Sequence, residues 1–79
     1  MSPPNKLLII MHNTSAVRPK NARSSEDLSK IVQISGDEIL TILDKFETEG
    51  YVKSLIDQNN NRRFYLTGKG ILKVCSYFT

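Results

Sequence analysis

The sequence predicts an α+β fold, mainly helical, with three helices, a two-stranded hairpin and a short C-terminal helix. Three observations predict it. Residues 35–50, SGDEILTILDKFETEG, carry a capping serine, apolar residues at helical spacing and a glycine stop. Residues 51–67 hold two strand-like runs, YVKSLI and RRFYLT, around the turn-forming cluster DQNNN. A shorter acidic-headed helix, SSEDLSKIV, precedes both. Seventy-nine residues amount to one domain, 1–79, with a small core that dimerisation would naturally supplement.

Each element has its own signal. The first helix is expected at 4–12. Prolines are tolerated in a first turn, and Leu7, Leu8, Ile10 and Met11 fit one helical face. A short buried strand would explain that run nearly as well. Residues 13–24, NTSAVRPKNARS, form a polar linker whose Arg-Pro step favours extended backbone, so a stub of strand is expected at Val17–Arg18. The second helix is expected at 25–33, capped by Ser24 or Ser25, with Glu26 and Asp27 complementing its dipole. Its stripe is Leu28, Ile31 and Val32, and Ile34 plugs the turn that follows.

The third helix is expected at 35–49. Ser35 and Glu38 make a capping-box pattern, and Ile39, Ile42, Leu43 and Phe46 make the buried stripe. Gly50 ends the helix because it takes left-handed backbone without steric cost. In the hairpin, 51–67, the inward residues are expected to be Val52, Phe64 and Leu66. Gly68 and Gly70 are expected to bracket a turn before a last helix at 69–78, with the stripe Ile71, Val74, Cys75 and Phe78.

Charge is distributed in blocks. Residues 1–23 carry +4, residues 24–50 carry −5 and residues 51–79 carry +4. One cysteine, Cys75, excludes an internal disulfide framework; with one histidine, His12, it leaves no credible zinc site. No cofactor or metal is expected. The N-terminus lacks the shape of a signal peptide and no apolar run reaches membrane-spanning length, so a cytoplasmic location is expected by default. No nucleophile elbow, phosphate loop or metal spacing accompanies the polar residues, and catalysis is not expected.

The order of parts resembles the winged helix-turn-helix transcription regulators of bacteria and archaea, closest in style to the MarR-type and PadR-type groups. The resemblance rests on SSEDLSKIVQIS, on GDEILTILDKFETEGYV and on RRFYLTGKG. Glu49-Gly50-Tyr51-Val52 is similar to the family's joint between helix and wing, and Leu66-Thr67-Gly68-Lys69-Gly70 to its exit from the wing. It spans roughly residues 24–72. The resemblance implies a DNA-binding regulator whose third helix enters the major groove.

It further implies that Asp37, Glu38, Leu40, Thr41 and Lys45 lie nearest the bases. The wing residues Asn60, Asn61, Arg62 and Arg63 would meet flanking phosphates or the minor groove. Arg18, Lys20 and Arg23 of the linker read either as a solvated loop or as a phosphate-contacting arm. The expected partner is double-stranded DNA, bound by a homodimer joined through the terminal helices at Ile71, Val74 and Phe78; those three are equally well placed as core. The third helix departs from the pattern in its acidity: Asp37, Glu38, Asp44, Glu47 and Glu49 oppose the gain from counterion release. That acidity sustains an alternative, a protein–protein interaction adaptor presenting the acidic helix to a basic partner.

Overall fold

The structure, a computed structural model, describes residues 3–77. Helix α1 spans Pro3–Asn13 and is followed by a single 3-10 turn, Pro19–Asn21. A two-residue strand, β1 (Arg23–Ser24), leads into α2 (Ser25–Val32), and α3 runs over Gly36–Glu49. Strands β2 (Val52–Ile56) and β3 (Arg62–Leu66) form the hairpin, and α4 (Gly68–Ser76) closes the described chain. The four expected helices and the hairpin are present within a residue or two of their bounds.

The two-stranded wing is present, and a third, two-residue strand joins its sheet. The sheet is antiparallel with the order β1-β3-β2. Val52 pairs with Leu66 and Ile56 with Arg62; on the other side of β3, Arg23 pairs with Phe64. The strand stub therefore lies at Arg23–Ser24, not at Val17–Arg18. Arg18 is extended, as the following proline demands (φ −138°, ψ 153°), but it lies outside the ladder.

Local chemistry sets the helix ends. Ser24 caps α2 with a full reciprocal box: its Oγ accepts from the Asp27 N–H at 3.1 Å and its N–H donates to Asp27 Oδ2 at 3.4 Å. At α3, Ser35 Oγ accepts from the Glu38 N–H at 3.2 Å. Gly50 ends α3 with φ +85°. Thr67 caps α4 by accepting from the Gly70 N–H at 3.1 Å, so Gly68 and Gly70 belong to the first turn of that helix and bracket no separate turn.

The core joins all the main elements. Leu7, Leu8 and Met11 of α1 meet Leu28 and Val32 of α2, Ile39, Leu43 and Phe46 of α3, Val52, Phe64 and Leu66 of the hairpin, and Val74 of α4. Ile10, Ile34, Ile42 and Ile71 pack against its edge. Ile31 and Cys75 were expected in buried stripes and are exposed. Both helices bury a narrow face, centred on Leu28 and Val32 in α2 and on Gly70 and Val74 in α4. A step of about 100° per residue carries Ile31 and Cys75 round to solvent. Phe78 lies outside the described residues.

The two segments that carried the family resemblance clasp one another. Thr67 Oγ1 donates to the Gly50 carbonyl at 2.6 Å, the Thr67 N–H donates to the Tyr51 carbonyl at 3.0 Å, and Lys69 Nζ donates to the Glu49 carbonyl at 2.8 Å. The end of α3, the start of the wing and the start of α4 are thereby one joint. Gly70 rests directly on the Tyr51 backbone.

Candidate nucleic-acid interface

The outer surface of α3 is a ridge. Asp37, Thr41, Asp44 and Thr48 follow at i, i+4, i+7 and i+11, and all are exposed. Thr41 Oγ1 donates to the Asp37 carbonyl and Thr48 Oγ1 to the Asp44 carbonyl, each at 3.1 Å, so both threonine hydroxyls are folded back on the helix. Asp37 and Glu38 stand in the first turn, exposed and outside the ion pairs of the described residues.

One flank of the ridge meets the wing. Leu40 is half-buried there and shares a cleft of about 190 Å³ with Ser24, Ser25, Glu26, Asn61 and Arg62. Lys45 lies on the other flank. It borders a depression of about 300 Å³ between α1, α3 and α4, together with Ile42, Phe46, Glu49, Tyr51 and Lys73. The base-facing residues expected from sequence are therefore spread over a wide arc of α3.

The two wing arginines have different surroundings. Arg62 faces α3: Nη1 lies 2.8 Å from Asp44 Oδ1 and Nη2 lies 2.6 Å from Glu47 Oε1. Its guanidinium also sits 4.7 Å over the Phe64 ring. Arg63 faces α2 and the start of the hairpin turn, where Nε donates to Asp57 Oδ2 at 2.6 Å and Nη1 to Asp27 Oδ2 at 3.2 Å. Both guanidiniums bind carboxylates of their own chain while remaining about one-third exposed.

Asp57 organises the wing tip. Its Oδ1 accepts from the Asn59 and Asn61 N–H groups, each at 2.9 Å, and its N–H donates to the Asn61 carbonyl at 2.9 Å. The Arg63 hydrogen bond, and next the Asn61 N–H, hold this carboxyl below its ordinary pKa, against a smaller opposing effect of desolvation. Asn59, Asn60 and Asn61 are left exposed at the tip, with Asn60 in left-handed backbone at φ +65°.

The linker cations divide. Arg18 and Lys20 are exposed, at the start of and within the 3-10 turn that leads into β1. Arg23 is half-buried; Nη2 donates to the Thr14 carbonyl at 3.4 Å, and Nε is buried without a hydrogen-bond partner among the described residues. At the C-terminal end, Val74 is 1% exposed and Ile71 packs on the core, so Val74 is core and no seam residue. The exposed apolar residue of α4 is Leu72, at 72%.

Sequence reasoning missed Asp27, Asp44, Glu47, Ser54 and Asp57 as partners of the wing. Only Asp57 had a local signal, an aspartate two residues before an asparagine in a turn. The rest depend on pairings between distant segments. Among the described residues no helix is long and apolar enough to cross a membrane, and no group of three or more His, Cys, Asp or Glu side chains could hold a metal.

No protein-family model and no curated protein matches the chain. Solved structures do. MepR of Staphylococcus aureus, a transcription regulator of the multidrug efflux pump MepA, superposes with a TM-score of 0.82 at 17% identity, over 95% of this chain and 53% of that one. The reduced form of MarR from E. coli gives 0.80 at 18% identity, over 96% and 53%. A MepR–DNA complex gives 0.75 at 16% identity, over 99% and 62%. The chain thus spans little more than half the length of these proteins. The joint between α3, wing and α4, the three-stranded sheet and the helix order agree with that likeness: the chain has the winged helix-turn-helix fold of the MarR-type regulators.

Proposed function

We propose that the chain binds duplex DNA as the DNA-reading part of a transcription regulator. The third helix lies in the major groove, with Asp37 and Thr41 towards the bases, Leu40 at the flank beside the wing and Glu38 and Lys45 at the other flank. The wing tip, Asn60 and Asn61, reaches flanking phosphates or the minor groove. Arg18 and Lys20 serve as a phosphate-contacting arm, whereas Arg23, turned to the Thr14 carbonyl, braces the linker.

One observation carries this reading. Arg62 engages both Asp44 and Glu47, so two of the five acids that set α3 against phosphate are already met by a cation of the same chain. The MepR–DNA complex among the structural neighbours supports the choice of ligand. The protein acts as a dimer on two half-sites about one helical turn apart. The subunits join through the terminal helices, on the α4 face that presents Leu72 and Cys75.

The test is a titration of the chain against duplex DNA at about 50 and 200 mM salt. Binding at low salt that weakens by at least about tenfold across that interval is expected. No binding at low salt sinks the proposal. The adaptor reading keeps one observation on its side, the unpaired exposed carboxylates of Asp37 and Glu38. It predicts that Asp37→Lys abolishes capture of a basic protein partner, whereas the DNA reading predicts that the same change tightens binding to a non-specific duplex.

A further inference from the structure

A single carboxylate joins α3 to both strands of the wing. Glu47 Oε1 accepts from Arg62 of β3 and Glu47 Oε2 accepts from the Ser54 hydroxyl of β2, each at 2.6 Å. Asp44, one turn earlier, holds the other terminal nitrogen of Arg62, and the Phe64 ring lies beneath the same guanidinium. A planar guanidinium gripped by two carboxylates and an aromatic face has few alternative rotamers. Beyond Ser54 the hairpin leaves the core; Ile56 is 60% exposed. The tilt of the wing against α3 is therefore set where Glu47 sits.

We propose that Glu47 is a positioning residue for sequence discrimination: it contacts no DNA and fixes the wing relative to α3. This rests on the DNA-binding reading above. Two sets of contacts carried on one rigid body are satisfied together only by a duplex whose groove geometry matches their separation. With the joint loosened, each set still finds phosphate but the two no longer reinforce one another. Removing the carboxylate also removes a negative charge next to DNA, which favours binding of every sequence. Specific and non-specific binding thus respond in opposite directions, which mere loss of folded protein cannot produce.

The experiment uses the full chain and two duplexes: one selected by the wild-type chain from a randomised pool, and a scrambled duplex of equal composition. In E47A, binding to the scrambled duplex is unchanged or up to about threefold tighter, while the selected duplex binds about tenfold more weakly. E47Q retains groups for both hydrogen bonds and keeps the ratio of affinities within about threefold of wild type. S54A removes one strand from the joint without changing charge and lowers the ratio by about threefold. Spin labels at Thr41 and Gln58, with Cys75 replaced by serine, report a broadened distance distribution in E47A without DNA. An E47A ratio within twofold of wild type, or an unbroadened distribution, overturns the positioning role alone. A wild-type chain that binds no duplex overturns the DNA reading and this inference together.

Discussion

Arg62 and Glu47, fifteen residues apart, meet at 2.6 Å across the angle between wing and third helix. The contact makes the acidic helix and the basic hairpin one electrostatic unit. Arg62→Ala removes both ion pairs and the packing on Phe64, for a stability loss of about 1 kcal/mol, since the groups are partly exposed and screened. It also leaves Asp44 and Glu47 unopposed beside the ridge. DNA affinity is expected to fall about tenfold, more than loss of one phosphate contact would produce. Urea unfolding and duplex titration of the same preparation check both figures.

Asp57 makes the wing sensitive to acid. Its carboxyl is held below the ordinary carboxylate value, chiefly by Arg63. A group whose folded pKa is depressed contributes stability above its unfolded pKa and loses it as pH falls through the folded value. Stability is therefore expected to decline below about pH 4 by more in the wild type than in Asp57→Asn. The measurement is urea unfolding from pH 7 to pH 2.5; parallel curves for the two proteins would contradict it.

Two glycines in one helical turn respond differently to alanine. At Gly70 a Cβ would overlap the Tyr51 carbonyl oxygen and press on Leu66 Cδ2 at 3.1 Å. Backbone cannot move aside there without opening the joint, and Gly70→Ala is expected to cost about 3 kcal/mol. At Gly68 nothing lies within 4 Å. Gly68→Ala is expected to be neutral or to stabilise by about 0.5 kcal/mol through the unfolded chain. Thermal melts of the pair give the comparison.

Asn60 occupies left-handed backbone at the wing tip. Asn60→Ala places a less tolerant residue there and is expected to cost about 1 kcal/mol. Asn60→Gly keeps the backbone at ease and deletes only the amide. If that amide meets phosphate or a base edge, Asn60→Gly keeps its melting temperature and binds duplex severalfold more weakly. Equal affinity would place Asn60 off the DNA.

The sequence by itself determined what neighbouring residues decide. Serine hydroxyls capped α2 and α3, and Gly50 stopped α3, because the partners lie within three or four residues. The inward residues Val52, Phe64 and Leu66 followed from alternation. Local pattern erred where burial depends on how wide a face the neighbours cover, as at Ile31 and Cys75, and where a strand exists only because β3 offers an edge, as at Arg23–Ser24. Tertiary structure alone decided what the wing arginines do. Adjacent in sequence, Arg62 and Arg63 look interchangeable, yet one faces Asp44 and Glu47 and the other Asp57 and Asp27. Successive strand residues point to opposite faces, and what waits on each face comes from segments up to forty-one residues away.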